Sequence, residues 1–205
     1  GSLEIHEVIG YTDFALGKFF EEAKKQPWFS NTLFIITADH ASLSNVPSYN
    51  NPLGRHRVPL LFYFPGKIAP QISTQVVQHA DVPASVINFL NLSTQLPQPS
   101  WFGKSVFEKN TPHFSINHEE GAWLSIGASG VLTGVLRNNS LEALNLIPLE
   151  NFAVGKKHRQ LLQSRQPMDL KGVSDKDRLQ QQKTHLQLLI QSFHNGMNED
   201  HLFPK

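Results

Sequence analysis

Asp39 and His40 are the two neighbouring residues of this 205-residue chain whose types most readily do chemistry together. A carboxylate and a neutral imidazole are both good ligands for zinc or manganese. They close the stretch TLFIITADH, residues 32–40. Residues 33–36 form a continuous apolar run, where a surface strand would alternate apolar and polar. A run apolar on both faces suits a strand inside a sheet covered by helices. In such sheets ligands bind just beyond the carboxyl ends of the strands. Neighbours within a strand point to opposite faces. For both side chains to reach one ion, the chain must leave strand geometry at the pair. Ala41, Ser42 and Ser44, small or polar, allow that turn. The same pair would also serve as a plain strand end, with Asp39 capping a turn and His40 in solvent.

The elements that must position this pair follow from periodicity. Residues 3–25 place Ile5, Val8, Ile9, Leu16, Phe19, Phe20 and Ala23 at helical spacing, and Pro27 stops the helix. Trp28 and Phe29 are expected to tuck under the connection to the strand. Helix, short loop and buried strand make half of a βαβ unit, whose first strand is expected ahead of Gly1. Residues 41–57 form a polar loop of about 17 residues with no helical or strand period, long enough to suggest a functional role. Because it leaves the strand end, it should line the rim of any site. Arg55 could hold an anionic oxygen there, and His56 could be a ligand or a proton donor. Both would equally fit a solvated basic loop end.

Residues 58–64, VPLLFYF, read as a second buried strand ended by a Pro65-Gly66 turn. Residues 75–78 suggest a short strand. Asp81 can cap a helix with Pro83 in its first turn and Val82, Val86, Phe89 and Leu90 inside. Residues 91–100 form a Pro/Ser/Gln-rich connection. Residues 113–116, 122–126, 131–137 and 140–147 read as an antiparallel meander, with a hairpin turn at Asn138-Asn139. Gly127, Gly130 and Gly134 are read as turns. Residues 158–166 look helical. A longer helix over 175–195 carries Leu179, Leu186, Leu189, Ile190, Phe193 and Met197 on one face, a solvated Gln-rich outer face, and Gly196 as its C-cap. It is long enough to lie across a sheet.

The composition is 40% hydrophobic and 17% charged, which fits a globular protein. A net charge of +1 gives no field that would gather nucleic acid or an anionic membrane. The absence of cysteine excludes disulfides and thiolate metal sites. No apolar run approaches the roughly 20 residues of a membrane span. Gly1-Ser2 reads as a cloning scar.

In block order, the chain resembles the C-terminal part of a sulfatase-type enzyme of the alkaline phosphatase superfamily, in its lipoteichoic-acid-synthase-like, phosphoglycerol transferase branch. The resemblance rests on YTDFALGKFFEEAKKQPWFSNTLFIITADH (residues 11–40), GRHRVPLLFYFPG (54–66), HADVPASVINFLNL (79–92), FGKSVF (102–107) and NGMNEDHLF (195–203). Ala41 stands where such chains usually have Gly, and Pro83-Ala84 where they usually have Pro-Thr.

The resemblance implies an α/β fold: the C-terminal portion of an alkaline-phosphatase-like sandwich with a buried mixed or parallel sheet flanked by helices. A small antiparallel sheet and a long C-terminal helix follow. The expected division is 3–110 for the core, 111–150 for the antiparallel region and 151–205 for the helical end. Asp39 and His40 become ligands of a divalent metal (Mn, Zn, Mg or Ca), with Arg55 and His56 as candidate substrate-binding residues. The nucleophile, a Thr, Ser or formylglycine, and the remaining ligands are expected upstream. The implied reaction is attack on phosphorus or sulfur of an anionic ester, possibly lipid- or glycan-linked, through a covalent enzyme intermediate.

The parent would be membrane-anchored with its catalytic domain outside the cytoplasm. The fragment itself would be soluble, inactive alone, apolar at one edge, and a partner of a missing N-terminal half rather than of nucleic acid. The competing reading is a non-catalytic fragment or pseudoenzyme serving as a scaffold or binding module.

Overall fold

The computed structural model describes residues 4–42, 44–92, 103–108, 111–119, 121–128, 130–137, 140–147 and 176–199. The chain divides into two compact units, Gly1–His40 with Val58–Ser73, and Ala41–Arg57 with Thr74–Lys205.

In the first unit, helix α1 (Glu4–Ala23) leads through a short 3-10 turn (Phe29–Asn31) into strand β1 (Phe34–Thr37). Strand β2 (Leu60–Tyr63) pairs with β1 in antiparallel register, Phe34 opposite Tyr63 and Thr37 opposite Leu60. Aromatic rings hold helix to sheet. Phe20 meets both Phe34 and Tyr63, and Phe29 approaches the same two rings. The end of the helix is therefore stapled to one face of the strand pair.

The two strands are less buried than their apolar runs predict: Phe34, Ile35 and Ile36 are only partly covered and Leu61 is exposed. Geometry accounts for this. A 20-residue helix is about 30 Å long, while a four-residue strand covers about 13 Å, so only the last turns of α1 overlie the pair. Val8, Ile9, Tyr11 and Phe14, earlier in the helix, stay exposed. After β2, Pro65 and Gly66 turn the chain as expected, with Gly66 at φ 70° and Lys67 N–H donating to the Phe64 carbonyl.

In the second unit, four strands form a meander in the order β3 (Ser115–Glu119), β4 (Ala122–Gly127), β5 (Gly130–Arg137) and β6 (Ser140–Ile147), all antiparallel. The sheet is covered on both faces. On one, Leu124, Val131 and Ile147 are buried, with Leu53 of the 41–57 loop packed against them. On the other, Leu132 is buried beneath Leu186 and Ile190 of the C-terminal helix α3 (Lys176–Glu199), with Ile116, Trp123 and Leu146 around them. Alternating residues thus serve two cores.

Several details depart from the sequence reading. Residues 75–78 form no strand. The Gln78 side chain instead accepts the Ile116 N–H at 2.9 Å, so this segment follows the sheet through a side chain. Gly127 and Gly130 do flank a turn, but Gly134 lies inside β5 at a register shift against β6. Gly196 is not the C-cap, because α3 continues to Glu199. The Asn138-Asn139 turn and the 158–166 helix lie outside the described residues. Among the described residues, no helix is long and apolar enough to cross a membrane.

Candidate functional site

Strand β1 ends at Thr37, and the chain bends at Asp39 and His40, so the pair does leave strand geometry. The Thr37 hydroxyl donates to the Pro59 carbonyl at 2.8 Å and fixes the end of β1 against the approach to β2. Asp39 Oδ1 accepts the His40 N–H at 2.9 Å, and Oδ2 stands 3.5 Å from His40 Nε2. Both side chains are largely in solvent, 86% exposed for Asp39 and 79% for His40. The two donors therefore converge in spite of their adjacency, and water or an ion can reach them. That donor set, one hard oxygen and one imidazole nitrogen, fits a zinc- or manganese-type ion as two of its ligands. Among the described residues, no group of three or more His, Asp or Glu is arranged to hold a metal.

Arg55 and His56 belong to the second unit. Asn51 shapes their loop. Its buried side chain donates to the Pro47 and Ser48 carbonyls and accepts the Leu53 and Gly54 N–H groups. Gly54 opens the 3-10 turn Gly54–His56 so close to the backbone of Ser48 that a Cβ there would collide with its carbonyl oxygen. The turn aims both basic side chains at Glu119, the last residue of β3. Arg55 Nη2 lies 2.5 Å from Oε1 and His56 Nε2 lies 3.3 Å from Oε2. Glu119 is only 12% exposed, so the ion pair is partly shielded from water. Arg57, the third basic residue, lies over the Tyr49 ring at 5.9 Å.

Glu119 was invisible to sequence reasoning. It is one acidic residue near a turn, and only the fold carries the end of β3 to the 3-10 turn.

A second cluster, also missed, surrounds Asp81. Helix α2 (Asp81–Phe89) buries Asp81 and Ser85 more deeply than Val82, Val86, Phe89 and Leu90, the face expected to be inside. Asp81 does not cap its own helix as expected. Its carboxylate accepts Gln78 N–H at 3.0 Å and Lys104 N–H at 2.8 Å. Ser85 donates to the Asp81 carbonyl and accepts the Val106 N–H, while Ser105 donates to Asn88. Side-chain polar groups thus clamp residues 104–106 onto the helix. His113, buried, places Nδ1 3.7 Å from Asp81 Oδ2.

Comparison with known proteins accords with this architecture. Residues 6–92 match the family model described as Sulfatase, a span that contains Asp39, His40, Arg55 and His56. The fold is that of a crystal structure of a protein in the alkaline phosphatase superfamily from Vibrio parahaemolyticus, with a TM-score of 0.63 at 15% identity. That similarity covers 95% of this chain and 42% of the other, so the chain spans less than half the length of the protein it matches. Residues 6–92 are thus sulfatase-like in sequence, and the chain has an α/β fold similar to that of the Vibrio protein.

Proposed function

We propose that the chain is part of the catalytic domain of a metal-dependent enzyme acting on phosphate or sulfate esters, either a sulfatase-like hydrolase or a phosphoglycerol-type transferase. The observation that carries this reading is the convergence of Asp39 and His40 at an exposed strand end inside the span that matches the Sulfatase model. Asp39 would supply an oxygen and His40 a nitrogen to a divalent ion. When bound, such an ion lowers the pKa of an attacking group and neutralises the ester's anionic oxygens. The chain's own part is to hold the two donors together. The Thr37–Pro59 bond fixes the strand end, and the Asp39 Oδ1 contact with the His40 N–H sets the carboxylate.

Arg55 is the candidate to share the substrate's negative charge. It is held by Glu119, so it would have to exchange one carboxylate for an ester oxygen. This pairing also favours a second reading, in which Arg55 and His56 are structural and the chain acts as a non-catalytic scaffold. The resemblance further suggests a membrane-anchored parent with an extracytoplasmic catalytic domain, which cell fractionation tests.

The deciding experiment measures metal content and cleavage of nitrophenyl phosphodiesters and nitrophenyl sulfate by the full-length protein, beside Asp39→Ala. The expected result is loss of both bound metal and turnover in the variant. The preferred ester then identifies phosphate or sulfate chemistry. A full-length protein that holds no metal, and in which Asp39→Ala changes nothing, leaves the scaffold reading.

A further inference from the structure

Helix α3 holds to the sheet through a narrow stripe: Gln182, His185, Leu186, Leu189 and Ile190, at spacings of three and four. Gln182, Leu186 and Ile190 are buried, while Gln180, Gln181, Gln187 and Leu188 face solvent. In this stripe His185 is the titratable residue. Its ring lies 5.4 Å from that of Phe114, just ahead of β3, and its Nδ1 is buried without a hydrogen-bond partner. Gln78, Asp81, Lys104, Pro112, His113 and Phe114 line the same recess. His113 is buried too, with neither ring nitrogen hydrogen-bonded.

We propose that this recess is an acid-sensitive latch, which keeps α3 on the meander near neutral pH and loosens it when His185 takes up a proton. The charged and titratable groups around it are Lys104 from the segment after α2, Asp81 from α2 and His113 from the approach to β3. Lys183 lies two residues away on α3. A protonated His185 would stand beside the Lys104 ammonium, which is held in place by the Pro112 carbonyl at 3.2 Å. It would also have to be charged where its Nδ1 cannot reach water. Burial, and then Lys104, push His185 below its ordinary 6.5, while Asp81 pulls the other way. A depressed histidine leaves the unfolded chain binding the proton first. Its stabilising contribution is therefore complete above the unfolded value near 6.5 and is lost as pH falls through the lower folded value. The Gln182 amide, bonded to the Ser125 and Gly130 carbonyls, and the buried Leu186 and Ile190 still hold the helix, so the effect of the proton is a weakening of this docking and not its abolition.

The test is amide hydrogen exchange of the 205-residue chain at pH 7.5 and 5.0, corrected for intrinsic rates. The expected result is a several-fold loss of protection over residues 182–192 at the lower pH, with β4 and β5 unchanged, and a flat response in His185→Gln. Equal protection at both pH values overturns the proposal, as does a full acid response in His185→Gln. Loss of protection throughout the meander at the same pH also overturns it, because that is global unfolding. If His185→Gln does not fold, Lys104→Met serves: removing the cation lets the folded value rise towards the unfolded one, so the loss of protection at pH 5.0 should shrink, and an undiminished loss overturns the latch. A flat response in His113→Gln alone would assign the switch to His113 and reject His185.

Discussion

Asp81 shows how much one buried carboxylate can organise. It is 2% exposed and accepts two backbone N–H groups, from Gln78 before the helix and Lys104 beyond it. In Asp81→Ala both donors lose their partner in a buried place. The expected cost is about 2–4 kcal/mol, read from urea unfolding, and Asp81→Asn should recover part of it because its amide oxygen still accepts. Glu119 is a milder case. Its partner Arg55 is nearly half exposed, so Glu119→Gln should cost only about 1 kcal/mol. If Arg55 binds an ester oxygen, the same substitution frees its guanidinium. KM for an anionic substrate of the full-length protein would then fall, whereas a purely structural Arg55 leaves KM unmoved.

At the scale of elements, the docking of α3 depends on an amide as much as on leucines. Gln182 is fully buried, and its Nε2 donates to the Ser125 carbonyl at 2.5 Å and the Gly130 carbonyl at 3.3 Å. The glutamines of this helix therefore differ by position. Gln182→Ala should cost about 2 kcal/mol by loss of both bonds and the opening of a void. Gln181→Ala, on the exposed side, should stay within about 0.5 kcal/mol. Paired thermal melts check both values. The join between α2 and the segment after it is similarly tight. A Cβ on Gly103 would collide with the Ala80 carbonyl, so Gly103→Ala must push two backbones apart. It should cost about 3 kcal/mol, seen as a lowered urea midpoint.

At the scale of the whole molecule, the two units carry different chemistry. The first brings Asp39 and His40 to a strand end, and the second holds Arg55 and His56 on Glu119. Among the described residues, Asp39 and His40 are two converging donors, short of the four ligands usual for zinc. On the function proposed above, the 205-residue chain by itself should therefore cleave no nitrophenyl ester above background at added zinc or manganese. Turnover by the chain alone would show that its own residues complete a site.

Periodicity alone determined α1, the strand preceding Asp39, the four-strand meander and the long final helix, because each shows a local pattern of apolar residues that one backbone period explains. It also marked Asp39-His40, since a carboxylate beside an imidazole after an apolar run is a local signal. The resemblance to sulfatase-type chains likewise rests on contiguous blocks. What the tertiary structure decided is the fate of polar side chains whose partners are far along the chain. Arg55 reads as a free cation until β3 carries Glu119 to it. Gln182 reads as solvated until the helix settles over β4 and β5, and Asp81 reads as a cap until Lys104 arrives. The cover on each strand was also settled only there. An apolar run states that a strand can be buried, but the length and placement of the neighbouring helix fix how much of it is.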